Sequence, residues 1–352
     1  MENGRLKSLD ALRGFDMLLI MGFGWMLYDI CCLWPGGGHF WLARQVEHAA
    51  WNGLTLFDTI FPLFLFISGM TFPFSKRKTV GKVLVRALIM VALGIVYNGF
   101  FELNFGTMRF YSVLGRIGVA WALAALLYMA LPSWKPRAII AAVILVGYNL
   151  LLLIGAPDRP CTDPLSLEGN LVGYVDRCLM PGHLYFDGFD PEGLLSTLPA
   201  VVTAMLGQFA GEFVRSARPR KTLSMLGAAA VLLGLGLIWS LWLPVNKSLW
   251  TSSFVLVVAA YSLAMFALFY YLIDVRGWKK WAFPLEVIGL NSITIYMFQR
   301  IVSIQSASQF LLGGLAGHVP AQLGQVILGA GYLLLSWLLL LFLYRKKVFL
   351  KI

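Results

Sequence analysis

The stretch KVLVRALIMVALGIVYNGFFEL (Lys82–Leu103) is followed, after a short polar link, by YSVLGRIGVAWALAALLYMAL (Tyr111–Leu131). Each is a run of about 20 mainly apolar residues, the length that crosses roughly 30 Å of hydrocarbon as a helix. Cations bracket the pair: Lys76, Arg77 and Lys78 precede the first run, and Lys135 and Arg137 follow the second. Lys and Arg concentrate in cytoplasmic loops, so the two runs read as a hairpin that leaves the cytoplasm and returns to it.

Working outward, ten such runs appear, at about 11–33, 53–75, 82–103, 111–131, 137–155, 193–214, 222–243, 250–273, 281–303 and 322–344. The composition agrees. Hydrophobic types make up 59% of the 352 residues and charged types 13%, whereas a soluble domain is near half apolar and a quarter charged. The expected fold class is therefore an all-α polytopic membrane protein with about 10 transmembrane helices. With the N-terminus placed in the cytoplasm, 21 of the 28 Lys and Arg residues fall in inner segments and six in outer ones, with Arg116 just inside a span. That bias runs through every alternate loop and predicts both termini cytoplasmic. It also explains the net charge of +11 without any nucleic-acid partner. The first run carries Asp16 and Asp29 and lacks a small-residue cleavage site, so it reads as a retained span. The segment 304–318 is too short to span and is expected to be an interfacial or re-entrant helix. One transmembrane domain over 1–352 is expected, with an extracytoplasmic loop at about 156–192. That loop holds Cys161 and Cys178, which could pair if their side is oxidising. Cys31 and Cys32 read as apolar filler.

Ionisable groups in a span are costly and are functional suspects by default. Asp16, Asp29, Asp58, Glu102, Arg116, Glu212, Glu286 and Arg300 make up the set. All four histidines map to the outer side, and His48 stands at the mouth of the second span in EHAAWNGLTLFDTIFP. If residue 53 onward is helical, Asp58 sits about one and a half turns below that mouth, and an extended 48–52 segment could fold His48 back over it. A carboxylate on one imidazole nitrogen fixes the tautomer and leaves the other nitrogen as a base. The plainer readings are that His48 is an ordinary interfacial residue and that Asp58 pairs with Arg116. No HExxH, CxxC, P-loop, GxSxG or GxGxxG pattern occurs, and four scattered histidines give no metal-ligand spacing, so no metal is expected.

Seven ordered stretches resemble the heparan-α-glucosaminide N-acetyltransferase family of transmembrane acyltransferases. They are RLKSLDALRGFDM (Arg5–Met17), HAAWNGLTLFDTIFPLFLFISG (His48–Gly69), VLGRIGVAW (Val113–Trp121), FDPEGLLST (Phe189–Thr197) with the following MLGQFAGEF, LPVNKSLWTSSFVL (Leu243–Leu256), GLNSITIYM (Gly289–Met297) and the tail LYRKKVFLKI (Leu343–Ile352). The resemblance implies transfer of acetyl from cytoplasmic acetyl-CoA to an extracytoplasmic amino sugar or glycan. His48 matches the family's active histidine, as general base or acetyl carrier, and Asp58 and Asn52 match its companions. Two departures are visible. The animal enzyme has an extra N-terminal region and one more span, and it has His-Glu where this chain has Gln299-Arg300. The first points to a bacterial inner membrane with His48 near the periplasmic side. The second leaves acceptor preference open. A homodimer is implied by the resemblance alone.

The phosphates of coenzyme A need cations on the cytoplasmic side, and Arg13, Arg116, Lys76 and Arg77, with Lys78, are the candidates. For the loop residues the plainer reading is a positive-inside anchor. Asn291, in the GLNS motif, could hydrogen-bond the coenzyme's arm or a neighbouring helix. Asp190-Pro191 reads as a helix start with Asp190 as cap. The competing functions are an O-acetyltransferase of a surface glycan, a small-molecule transporter and a non-catalytic scaffold. Against transport, the sequence shows no internal repeat and no matched broken helices.

Overall fold

The computed structural model describes residues 6–76, 78–159 and 163–350. In chain order the helices are α1 (Lys7–Leu18), α2 (Gly24–Cys31), α3 (Trp41–Gln45), α4 (Ile60–Thr71), α5 (Val80–Tyr97), α6 (Val113–Ala130), α7 (Trp134–Leu152), α8 (Leu171–Leu179), α9 (Thr197–Arg215), α10 (Lys221–Trp239), α11 (Ser252–Phe269), α12 (Phe283–Leu290), α13 (Ser292–Ile301), α14 (Ile304–Gly317) and α15 (Ala321–Arg345). The described residues form no strand beyond one isolated bridge. Nine helical stretches among them are long and apolar enough to cross a membrane, and they match nine of the ten expected runs. Large apolar side chains stay exposed along α5 (Leu84, Val85, Leu88), α10 (Leu223, Val231, Leu235) and α15 (Leu334, Leu338, Phe342). An apolar surface of that extent suits lipid and not water.

The remaining expected run, 281–303, is broken. At Asn291 the backbone leaves the helix (φ −127°, ψ 30°), separating α12 from α13. The Asn291 amide donates to the Val348 carbonyl at 3.1 Å, and its carbonyl oxygen accepts from Thr294 Oγ1 at 3.3 Å. A short amide that bonds nearby backbone and side chains competes with the helical ladder. The first run is broken too. Between α1 and α2 a wider turn runs through Gly22 at φ 114°, a backbone that glycine adopts at little cost. The expectation of uninterrupted spans therefore needs correcting at these two places. The expected short helix at 304–318 is present as α14. The Cys161–Cys178 pairing involves a position outside the described residues.

The chain forms two compact units. Among the described residues, the first comprises 6–49, 55–60 and 265–350, and the second 50–54 and 61–264. In the first unit α1 lies against α12 through reciprocal glycines. A methyl added at Gly14 would fall 1.8 Å from the Leu285 oxygen, and one at Gly289 would fall 1.9 Å from the Asp10 oxygen. α14 and α15 form a hairpin tied by Ser308 Oγ donating to the Leu328 carbonyl at 2.7 Å.

In the second unit α4 and α9 cross at backbone contact, because Gly69, Gly207 and Gly211 leave no side chain between them. A methyl at Gly69 would meet the Ala204 oxygen at 2.0 Å, and one at Gly207 the Phe66 oxygen at 2.1 Å. Gly69→Ala is expected to force the two helices apart and destabilise the fold by about 1–3 kcal/mol. Gly227→Ala on α10, where a methyl meets nothing within 4 Å, is expected to be neutral or to gain up to about 1 kcal/mol. Thermal unfolding of the purified protein in detergent checks both.

Candidate active site

The site begins with the pattern Thr55-Leu-Phe-Asp58 before an apolar run, which is a helix-start signature. The structure uses it as one. A short 3-10 turn covers Phe57–Thr59, and α4 follows from Ile60. Asp58 therefore lies in the first turn, at the mouth, and not one and a half turns inside as the helical reading from residue 53 placed it. Its Oδ2 accepts from the amides of Ala49 and Thr55, each at 3.1 Å. The Thr55 hydroxyl lies 2.6 Å from the Glu47 carbonyl oxygen and 3.0 Å from Asp58 Oδ2. The Leu56 amide donates to Gln45 Oε1 at 3.1 Å. Residues 45–49 and 55–58 are thus closed around one buried carboxylate.

The closing residue is His48. Its Nδ1 stands 2.8 Å from Asp58 Oδ1, with the imidazole 56% exposed and the carboxylate 1% exposed. The ring rests 5.3 Å from that of Phe57. Phe57 in turn occupies space left by Gly24, where a methyl would fall 2.6 Å from Phe57 Cε2. Chemically, such an arrangement can serve as a base on an orienting carboxylate. An Nδ1–H donated to Asp58 sets the tautomer in which Nε2 carries the lone pair. Sequence reasoning found His48 and Asp58 but missed Thr55, Phe57, Gln45 and Gly24. The Thr-x-x-Asp spacing was the available signal for Thr55. A cavity of about 720 Å³ lies beside this loop in the same unit, lined by Tyr28, Trp34, His39, Arg44, Glu47 and Gln322 among others. It opens broadly to the surface.

The other sequence candidates are placed elsewhere. Asn52 belongs to the second unit, where its Oδ1 accepts from Asn246 Nδ2 at 3.1 Å and the neighbouring Gly53 amide donates to the Val245 carbonyl at 2.8 Å. Asn246, 194 residues away in sequence, was not foreseen. Arg13 pairs with Asp10 at 3.6 Å. Asn291 holds the tail, as described. Lys76 is exposed, and Arg77 lies outside the described residues. Among those residues no group of three or more His, Cys, Asp or Glu side chains is placed to hold a metal ion.

Arg116 is 4% exposed at the start of α6. It donates to the carbonyls of Pro191 and Ser196, and its guanidinium lies 4.4 Å from the Trp250 ring and 5.7 Å from that of Phe61. Asp58 is not among these partners. The hairpin of α5 and α6 puts Arg116 beside the C-terminal end of α5, while Lys76 precedes its N-terminal end. An 18-residue helix is about 27 Å long, so these two cations cannot share one phosphate.

Around the same end, Arg109 grips Asp190 through Nε and Nη2 at 2.7 and 2.6 Å and also donates to Glu192. Burial opposes its charge, but the two carboxylates hold the guanidinium above its ordinary range. Asp190 is thus a buried ion-pair partner. It does not cap a helix, since α9 starts only at Thr197. Asp176 accepts from Tyr111 OH and the Leu194 amide, both at 3.0 Å on Oδ1, while Oδ2 has no partner. Burial pushes its carboxyl up to about 6. A carboxyl that stays protonated in the fold but ionises when unfolded stabilises the fold at low pH and loses that contribution as pH rises. The fold is therefore expected to lose about 3 kcal/mol between roughly pH 4 and 6, and Asp176→Asn is expected to flatten that dependence. Unfolding midpoints measured across this range check both.

No protein-family model matches the chain. Two curated proteins do. The human heparan-alpha-glucosaminide N-acetyltransferase is 27% identical, and its mouse counterpart 26%. Each comparison covers 99% of this chain and 60% of the relative, so the chain spans about three fifths of the length of those proteins. Over nearly its whole length, this chain is similar to the human and mouse heparan-alpha-glucosaminide N-acetyltransferases.

Proposed function

We propose that the protein is a transmembrane acetyltransferase that moves acetyl from cytoplasmic acetyl-CoA to an amino sugar on the far side of the membrane. The observation that carries this is the 2.8 Å His48–Asp58 pair, in which the amides of Ala49 and Thr55 also hold Asp58. A glucosamine nitrogen attacking a thioester carbonyl must lose a proton. His48 Nε2 takes it, and Asp58 stabilises the imidazolium that results. The leaving thiolate is protonated as His48 returns to its neutral form. The cavity lined by Glu47, Arg44, Tyr28 and Trp34 offers the acceptor a carboxylate for an ammonium, a guanidinium for an acidic group and aromatic faces for a ring. A part for Asn52 in steadying the thioester oxygen or the acceptor is proposed on resemblance alone. The positive-inside bias supports cytoplasmic termini and a His48 that faces outward. A homodimer is proposed on resemblance alone.

The test is acetyl transfer in sealed proteoliposomes, with acetyl-CoA outside and glucosamine inside. N-acetylglucosamine should accumulate in the lumen. Glucosamine crossing the bilayer without acetyl-CoA would instead mark a transporter, a reading that the helix breaks at Gly22 and Asn291 keep open. Product acetylated on oxygen would mark an O-acetyltransferase.

A further inference from the structure

The end of the second unit that lies about 18 Å along α6 from Arg116 (twelve residues at 1.5 Å each) gathers cations. Arg137 opens α7 with a side chain 1% exposed. Its Nη2 donates to both Glu212 oxygens at 2.7 and 2.9 Å, and its Nε donates to the Ser133 carbonyl at 3.2 Å. Its Nη1 is buried with no hydrogen-bond partner. The guanidinium lies 4.4 Å from the Tyr128 ring, and Lys78 Nζ lies 4.7 Å from that same ring. Lys78 also donates to the Pro73 carbonyl at 3.4 Å, which accepts from Arg215 as well.

Three cations thus crowd one carboxylate. The segments that meet here, 73–86, 128–140 and 205–221, contain eleven Lys and Arg residues and one acidic residue, Glu212. Positive-inside anchoring accounts for exposed lysines in loops. It does not require a fully buried guanidinium with an orphan N–H, which is costly to leave unmade. The crowding has an electrostatic consequence. Burial, then the Arg215 charge, hold the Lys78 amine below its usual range. An anion entering the cluster would offset the repulsion among the cations.

We propose that Lys78, Arg137 and Arg215 form a phosphate-binding site, with Glu212 as the fixed carboxylate that orients Arg137. Three cations against one carboxylate leave two positive charges, which match a phosphate monoester dianion better than a diester monoanion. On the acetyltransferase reading, on which this assignment of source rests, that group is the 3′-phosphate of a coenzyme A thioester. A monoester lipid headgroup, as in phosphatidic acid, has the same chemistry.

The experiment uses the full chain in phosphatidylcholine nanodiscs. It measures calorimetric affinity for coenzyme A and for 3′-dephospho-coenzyme A. Wild type should prefer the phosphorylated form by about tenfold or more. Lys78→Gln/Arg215→Gln, at less buried positions chosen to spare the fold, should lose that preference while its affinity for the dephospho form is unchanged. Arg137→Gln should behave alike, with folding confirmed by its melting curve. A second arm compares melting in discs with and without phosphatidic acid. A Lys78- and Arg215-dependent rise there, with no coenzyme A binding by wild type, would keep the phosphate site, assign it to lipid and sink the acetyltransferase reading. Coenzyme A binding with a preference that survives the double variant, and no lipid effect, would overturn the site and leave that reading standing. Absence of any phosphate response in both arms would overturn the site as well.

Discussion

Asp58→Asn is expected to lower acetyl transfer by about 10³- to 10⁴-fold while the protein stays folded. Both carboxylate oxygens of Asp58 act only as acceptors, Oδ1 toward His48 Nδ1 and Oδ2 toward the amides of Ala49 and Thr55. An asparagine can keep its one oxygen on the two amides, which preserves the loop. Its NH₂ then faces His48, and the only imidazole tautomer that fits has a lone pair on Nδ1 and a hydrogen on Nε2. The base is lost without loss of the histidine. The same change to the orienting aspartate of a serine-protease triad costs about 10⁴ for this reason. Asp58→Ala also leaves two amides without an acceptor and should destabilise the loop by about 2–3 kcal/mol. Steady-state rates alongside melting curves separate the two effects. An Asp58→Asn rate within tenfold of wild type would remove the orienting role.

The largest effect on stability is expected at Arg116. Arg116→Met removes the donors to the Pro191 and Ser196 carbonyls and the guanidinium on the Trp250 face. Methionine fills much of the volume but bonds to nothing, so two carbonyls lose their partner. Hydrogen bonds from a charged donor contribute about 1.5–3 kcal/mol each, which for two gives an expected loss of about 3–6 kcal/mol. Arg116→Lys should recover only part of it, because an ammonium is a point charge without the planar fork. Trp250 itself holds a left-handed backbone at φ 52°, the kind of strained conformation that surrounding contacts must maintain. Loss of Arg116 is therefore expected to raise proteolytic nicking between residues 156 and 196 as well as lower the unfolding midpoint. If the variant melts within a degree of wild type, Arg116 is not the anchor described here.

Much of the fold could be read from hydropathy, because a lipid-crossing helix must satisfy its backbone internally and advertise about 20 apolar residues in doing so. The two breaks could not. Gly22 and Asn291 sit inside runs whose hydropathy is uninterrupted, and what breaks them is a backbone conformation in one case and a side chain reaching Val348 in the other. The His48–Asp58 pair was readable because so few ionisable groups lie in or near the spans. The rest of that site was not, since Phe57 and Gly24 are ordinary apolar residues until their contact is seen. In the second unit, Asn246 is remote in sequence from Asn52, and Arg116 is a cation whose role depends on what its fork reaches. The cations at 78, 137 and 215 show the same limit. They raise the inner charge count alike in the sequence, and only burial sets Arg137 apart.

The central claim is that His48 is the base for acetyl transfer, and one measurement tests it most directly. The initial rate of N-acetylglucosamine formation is compared between purified wild type and His48→Ala at saturating acetyl-CoA and glucosamine. A positioned general base contributes about 10²- to 10⁴-fold. A fall of at least 100-fold with an unchanged melting midpoint is the predicted result, and a rate within threefold of wild type would contradict it.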